Sequence, residues 1–182
     1  EEINGSGYVF FGTEGFIRTD YNGDTLSTNL NYQWLQGGCQ TLDGGYILLG
    51  GDSVYKLDGM GIEQWAKPHY EGEALAITQV VDSGYVITGT GGADGISQGG
   101  ISKADEHIGV VKMNSIGDTL WTCQVYPHNI NFDIEGAGDD VIQANNGDYI
   151  IAGLRYILNT SLPSNNHAVL VRVNDIGDTL WT

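Results

Sequence analysis

One motif returns four times along the chain, about every 45 residues, and constrains the fold more than any other feature of the sequence. Each copy has a Gly-Tyr or Asp-Tyr step followed by apolar residues, at positions 7–11, 45–49, 84–88 and 148–152. An apolar segment with one basic residue follows, and then a turn into a short strand that carries Trp in three of the copies. Self-similarity at a fixed period of this length is typical of repeat architectures.

Each unit reads as four strands with different burial patterns. The second strands are nearly continuous apolar runs, which indicates a sheet that is covered on both faces. The fourth strands alternate apolar and polar residues, as in 118–122 and 178–182, which is typical of an edge strand. We therefore predict an all-β fold, a β-propeller of four-stranded antiparallel blades. About four blades are expected in one domain over residues 1–182, with units at approximately 1–34, 35–71, 72–131 and 132–182.

The four units are expected to be a segment of a larger ring, because the first unit aligns only with the tail of a first strand. Further blades from the same chain would complete that ring. Two alternatives stay open: another chain supplies the missing blades, or four blades close by themselves with a ragged seam.

Glycine-containing turns join the strands within each unit, as tight hairpins require. Residues 20–24 also have the spacing of a calcium loop, but the equivalent segments 114–118 and 174–178 keep only part of its carboxylate pattern. We predict a hairpin here, with a calcium loop as the alternative. The two cysteines, Cys39 and Cys123, fall in non-equivalent strands and are expected to be unpaired.

Three residue types recur at fixed positions of the repeat. Basic residues occupy one position of the third strand, and we predict ion pairs with acidic turn residues rather than a ring of ligands. Glutamines precede the first turn of a unit, and we predict that they hydrogen-bond around a central channel. Tryptophans recur in the fourth strand, and we predict that they fill the wedge between blades rather than form a sugar platform. These sets are Arg18, Lys56, Lys112 and Arg172; Gln40, Gln79 and Gln143; and Trp65, Trp121 and Trp181.

Charge excludes some partners. Lys and Arg number 7 against 23 Asp and Glu, which gives a net charge of −16. Such a chain repels phosphate backbones and anionic membrane surfaces, so nucleic acid is not expected as a partner. No apolar run approaches 18 residues and no basic-then-apolar leader opens the chain, so we expect no membrane span, and no signal sequence is in these residues.

The repeat resembles a known group of propellers. The segments at 43–47, 110–114 and 117–122 resemble repeats that are abundant in secreted and surface proteins of the Bacteroidetes, with a strand order similar to that of quinoprotein-type blades. The resemblance covers essentially the whole chain and implies the propeller fold and an extracellular or cell-surface location. It implies no particular activity, and no set of quinone ligands is recognisable in the sequence.

The variable connections of the repeat all fall on one face, which we call the loop face. It carries the connections between second and third strands and those between blades, and long connections on a rigid scaffold tend to carry function. Histidines, aromatics and one arginine gather there as candidate ligand-binding residues, and a glycine-rich segment adds acidic candidates for Ca²⁺. The ligand-binding candidates are His69, Tyr70, His107, Tyr126, His128, Phe132, Arg155, Tyr156 and His167, and the metal candidates are Asp94, Asp105 and Glu106.

Three functional hypotheses follow from this arrangement. The leading one is a non-catalytic interaction scaffold that binds a protein partner or a glycan through the loop face. The second is a polysaccharide lyase or hydrolase that uses His, Tyr and Arg on that face as base, acid and charge neutraliser. The third is a structural spacer or filament subunit, which exposed apolar surfaces on the first and last blades would favour.

Overall fold

The structure is a computed structural model that describes residues 2–3, 7–32, 34–69, 72–91, 107–125, 134–157 and 165–182. Sixteen strands form four antiparallel sheets of four consecutive strands each. Blade 1 contains β1 (Glu2–Ile3), β2 (Gly7–Gly12), β3 (Gly15–Thr19) and β4 (Thr25–Asn29). Blade 2 contains β5 (Gly37–Gln40), β6 (Tyr46–Leu49), β7 (Ser53–Leu57) and β8 (Glu63–Pro68).

The other two blades repeat the same order, and their first three strands are longer. Blade 3 contains β9 (Gly72–Gln79), β10 (Tyr85–Gly91), β11 (His107–Met113) and β12 (Thr119–Val125). Blade 4 contains β13 (Ile134–Gln143), β14 (Tyr149–Ile157), β15 (Asn165–Val173) and β16 (Thr179–Trp181). This arrangement confirms the predicted all-β propeller fold with four blades.

Each pair of successive blades encloses one hydrophobic cluster. Alternate residues of a second strand point to opposite sides of the blade, so Tyr46 and Leu48 pack towards blade 1 while Ile47 and Leu49 pack towards blade 3. The second strand of blade 3 shows the same alternation, with Tyr85 turned towards blade 2 and Val86 turned towards blade 4. The continuous apolar second strands of blades 2 and 3 therefore lie between two neighbouring blades.

Two of the three recurring glutamines, Gln79 and Gln143, make hydrogen bonds that join consecutive blades. The Gln79 side chain accepts a hydrogen bond from the Leu42 N–H of the preceding blade at 2.7 Å, and Gln143 accepts one from the Val81 N–H at 2.9 Å. Each amide group also donates back to its own turn, for example from Gln143 to the Gly147 carbonyl at 3.1 Å. The first strands are thus linked by polar contacts along the inner side of the blades.

The recurring basic residues form the predicted ion pairs in blades 2, 3 and 4. Lys56 lies 2.9 Å from Asp43 and Lys112 lies 2.8 Å from Asp82, and Arg172 Nε donates to Asp148 at 2.7 Å. In every case the partner is the turn residue of the same blade. The lysines are buried and also donate to the backbone carbonyl of the next residue, so they fix the turn to the third strand.

In blade 1, the described contacts of the basic residue lead to the next blade. Arg18 donates to the Gly59 carbonyl of blade 2 at 3.2 Å, and its guanidinium lies 5.9 Å from the centre of the Tyr46 ring. The cation therefore connects two blades, and the turn of blade 1 that is equivalent to those at Asp43 and Asp82 lies outside the described residues.

The tryptophans fill the wedge between blades, as predicted for Trp65 and Trp121. The Trp65 ring lies 6.0 Å from that of Tyr85 in the next blade, and the Trp121 ring lies 5.8 Å from that of Tyr149. Trp121 also donates to the Asp175 carbonyl of the next blade at 3.1 Å. A Trp of one blade and the Tyr of the following blade are thus the aromatic pair of each such interface.

The segment at 20–24 is a hairpin turn, as predicted. The Asp20 carboxylate accepts hydrogen bonds from the backbone N–H groups of Asn22 at 2.8 Å and Asp24 at 2.9 Å. No disulfide joins Cys39 and Cys123. Across the described part of the chain there is no helix of the length and apolarity that crossing a membrane requires.

Candidate functional site

The structure describes four of the predicted loop-face side chains, and they lie at different places on that face. His69 follows β8, His107 begins β11, and Arg155 and His167 lie near the adjoining ends of β14 and β15. Tyr156 occupies the next register position of β14, opposite Asn166. The remaining candidates lie outside the described residues; they are Tyr70, Asp94, Asp105, Glu106, Tyr126, His128 and Phe132.

Two of these histidines are held by their own blades. His69 Nε2 lies 3.3 Å from the Gly50 carbonyl, and its backbone N–H donates to the Asp52 carbonyl at 3.3 Å. His107 is fully buried in blade 3, where a side chain at Gly91 would meet its imidazole ring at 2.6 Å. His107 is therefore a packed interior residue in this structure and not an exposed ligand.

Arg155 and His167 are the predicted residues that the fold brings together. They are opposite each other in the β14–β15 ladder, so their side chains emerge from the same side of blade 4. The Arg155 Nε is buried and has no hydrogen-bond partner among the described residues. Within the described residues, no three His, Cys, Asp or Glu side chains are arranged to hold a metal ion.

A cleft on the loop face of blade 1 was missed by the sequence analysis. It has a volume of about 410 Å³ and is lined by Thr13 and Glu14 of the β2–β3 turn and by Leu30 and Trp34 of the connection between blades 1 and 2. The Trp34 side chain is 70% exposed and Leu30 is 62% exposed. A volume of this size falls in the range of small-molecule sites, about 300–1,000 Å³.

Trp34 has an unusual backbone. Its φ of 59° lies in the left-handed region, which is a genuine outlier for a bulky residue. A hydrogen bond of 2.7 Å from the Trp34 N–H to the Thr13 carbonyl holds this conformation and ties the two sides of the cleft together. Backbone strain of this kind costs about 1–3 kcal/mol and is concentrated at functional sites.

Two residues close to Trp34 in sequence anchor the connection in the core. Tyr32 and Leu35 are buried in the cluster between blades 1 and 2, and the Tyr32 hydroxyl donates to Glu63 at 3.2 Å. Burial, with the neighbouring Glu63 carboxylate, raises the pKa of Tyr32 to about 12. The exposed indole is therefore presented by a segment that is fixed on both sides.

The sequence carried one signal for this site. Trp34 is one of four tryptophans and falls outside the wedge position that the other three, Trp65, Trp121 and Trp181, share. An aromatic residue that the repeat does not require is free to serve another role. The cleft itself could not be found from sequence, because it forms only when the β2–β3 turn and the connection to blade 2 meet.

A second groove, of about 620 Å³, lies on the opposite face between blades 3 and 4. Its lining includes the Asp82–Lys112 ion pair, Gln143 and Trp121. These are the groups that already join the two blades, so the groove follows from blade packing and the loop-face cleft is the stronger candidate.

The chain matches no protein-family model and no curated protein. Its fold is similar to the crystal structure, at 1.35 Å resolution, of a protein of unknown function from Bacteroides caccae, with a TM-score of 0.57 and 11% sequence identity. The match covers 98% of this chain and 55% of the other, so the chain spans about half the length of that structure. The likeness places the chain in the same class of all-β fold as a bacterial protein and carries no activity with it.

Proposed function

We propose that this protein is a non-catalytic interaction scaffold at the bacterial cell surface or outside the cell, and that it binds a glycan through the Trp34 cleft of the loop face. The single observation that carries the proposal is the exposed, strained Trp34 beside an open cleft. The extracellular location is supported by the resemblance of the repeat to secreted propellers.

The chemistry of the cleft favours a sugar. A flat indole supplies a large apolar surface that can stack on a sugar ring at small entropic cost. The Glu14 carboxylate can accept hydrogen bonds from sugar hydroxyls, and the Thr13 hydroxyl can both donate and accept. Leu30 adds apolar contact at the edge.

Charge favours a neutral glycan over an anionic one. The net charge of −16 and the carboxylate in the cleft both repel polymers of uronic acids. The same repulsion counts against a lyase that acts on such polymers. A protein partner remains the competing ligand for an exposed tryptophan.

The test is binding of neutral oligosaccharides such as xylo-, manno- and cello-hexaose, measured by calorimetry on the wild type and on Trp34→Ala. We expect at least one neutral sugar to bind, and the substitution to weaken it at least tenfold, which corresponds to about 1.4 kcal/mol. Met60→Ala is the matched control, because Met60 is 79% exposed on the opposite face. Equal binding by the wild type and Trp34→Ala would show that the cleft is not the binding site. If no sugar in the panel binds to the wild type, the result contradicts glycan binding.

A further inference from the structure

The groove between blades 3 and 4, on the face opposite the loop face, has apolar walls that the packing of the blades does not use. We call it the junction groove. Three of its apolar side chains are mostly exposed, namely Val81 by 84%, Leu120 by 57% and Ile176 by 67%. All three lie outside the buried cluster that joins blades 3 and 4. Exposed apolar side chains that converge on one groove, with polar residues around them, are typical of an interaction site.

Two acidic residues line the same groove. Asp82 lies 2.8 Å from Lys112, yet the side chain of Asp82 is 56% exposed, whereas that of the lysine is 3% exposed. The groove therefore presents the carboxylate of this pair and not the ammonium group. Asp175 adds a second acidic residue, and its segment is held in place because its backbone carbonyl accepts the Trp121 indole N–H at 3.1 Å.

The equivalent place between blades 2 and 3 shows which of these residues blade packing requires. Blade 2 has Gln64 at the position of Leu120, one residue before the wedge tryptophan of each blade. Blade 3 has Ser115 at the position of Asp175, in the turn between third and fourth strands. Blades 2 and 3 pack together with these polar residues, so neither Leu120 nor Asp175 is needed to join two blades. Both make the junction groove more apolar and more acidic than its equivalent.

The same comparison shows an excess of negative charge at the junction of blades 3 and 4. Between blades 2 and 3, Lys67 crosses to Asp118 of the next blade at 3.0 Å. The strand registers place Cys123 at the position of Lys67. Asp178 keeps the position of Asp118, at the end of an identical turn. Blade 3 thus has a thiol where blade 2 supplies a cation, while the carboxylate of the following blade is retained.

We propose that the junction groove binds a protein partner through a lysine or arginine side chain that is flanked by apolar residues. The methylene stem of such a side chain packs on apolar walls such as Val81 and Leu120, while its charged end reaches a carboxylate. An ionised carboxylate has about four lone-pair positions, so Asp82 can accept a hydrogen bond from a partner and keep Lys112.

Charge complementarity selects this occupant. The chain carries a net charge of −16, which attracts basic segments and repels acidic ones. The inference does not rest on glycan binding, because the Trp34 cleft lies on the opposite face.

The test is an NMR titration of the isotope-labelled chain with two capped peptides. One is acetyl-Gly-Leu-Lys-Leu-Gly-amide, and the other has norleucine in place of lysine, which keeps the stem and removes the charge. We expect the lysine peptide to shift the signals of the Asp82, Leu120 and Asp175 amides and of the Trp121 indole N–H. The norleucine peptide should bind about fivefold more weakly, because it lacks the ion pair. Equal binding of both peptides, or no binding of the lysine peptide, would overturn the proposal.

Two substitutions copy residues that the repeat already uses at these positions, so folding is preserved, which circular dichroism checks. Asp175→Ser should weaken binding of the lysine peptide about threefold and leave that of the norleucine peptide unchanged. Leu120→Gln should weaken binding of both peptides, since it removes an apolar wall. Asp52→Ser is the matched control, because it removes the same charge at an exposed position between β6 and β7 on the loop face.

The control separates the groove from the overall charge of the chain. We expect Asp52→Ser to bind the lysine peptide as the wild type does. Equal losses in Asp52→Ser and Asp175→Ser would show that the peptide responds to net charge and would contradict a site in the groove. Signal shifts that are spread over the acidic surface, without saturation at the groove, would contradict it as well.

Discussion

The buried lysines show how a single charge is accommodated between blades. Lys56 is 5% exposed in its side chain, while its partner Asp43 is 58% exposed at the surface of the turn. The Asp43 carboxylate also accepts hydrogen bonds from the Thr41 hydroxyl and, at 3.0 Å, from the Gly45 N–H. The pair therefore brings a buried cation into contact with a carboxylate that is still partly hydrated, which limits the desolvation cost.

Asp43 should make stability depend on acid. Burial on its own would raise the pKa of Asp43, but hydrogen bonds from Thr41 and Lys56 outweigh it and lower the pKa from 3.8 to about 2. Since the folded-state pKa lies below the unfolded one, the carboxylate stabilises the fold above about pH 4. That contribution is lost as the pH falls from about 4 through 2.

We therefore expect Asp43→Asn to lower the free energy of unfolding by about 1–2 kcal/mol at pH 7, less than for a fully buried pair because the carboxylate is half exposed. The gap to wild type should close between pH 4 and pH 2, as measured by urea unfolding at a series of pH values. In a Lys56→Met background, the same substitution should cost less, since the cation it pairs with is gone. A gap that is constant across this pH range would show that the charge of Asp43 does not stabilise the fold.

At the scale of strands and turns, the hairpin between the third and fourth strands of a blade also packs against the preceding blade. Gly117 has a φ of 84°, and a Cβ at this position would lie 2.8 Å from the Trp65 ring of blade 2. Gly23 holds the equivalent turn position of blade 1 with a φ of 88°, and no described residue beyond its two chain neighbours comes within 4 Å of such a Cβ. The two glycines share their backbone conformation and differ only in the neighbouring blade.

This difference can be measured by replacing each glycine with alanine. Gly23→Ala should cost about 1 kcal/mol from the left-handed backbone alone. Gly117→Ala should cost a further 1–3 kcal/mol or so, because the methyl group pushes the Trp65 wedge out of place. Thermal and urea unfolding of the two variants provide the comparison, and equal losses would mean that the wedge adjusts without cost.

At the scale of the whole molecule, charge and apolar surface oppose each other. A net charge of −16 makes two copies repel, while one side of blade 1 exposes Tyr8 and Phe10 and the far side of blade 4 exposes Leu170 and Trp181. Salt screens the repulsion, since the Debye length falls from about 10 Å at 0.1 M to about 3 Å at 1 M. It does not weaken the tendency of exposed apolar side chains to be buried.

Much of this molecule follows from local chemistry repeated along the chain. Continuous apolar second strands and glycine turns indicated blades, and a basic residue at one fixed position indicated the ion pairs, because these contacts lie within a blade or between neighbours in sequence. Gln79 and Gln143 were predictable for the same reason, since each repeat contributes the same donor and acceptor to its neighbour.

Only the tertiary structure decided the features in which equivalent positions of the repeat differ. Tyr8 and Tyr46 are the same residue at the same position, yet one is 37% exposed and the other 1%, since exposure depends on whether a blade packs there and not on the residue itself. The Trp34 cleft likewise depends on two loops meeting across blades 1 and 2. Local sequence determined which contacts each blade can make, and the number and placement of neighbouring blades determined which of them are made.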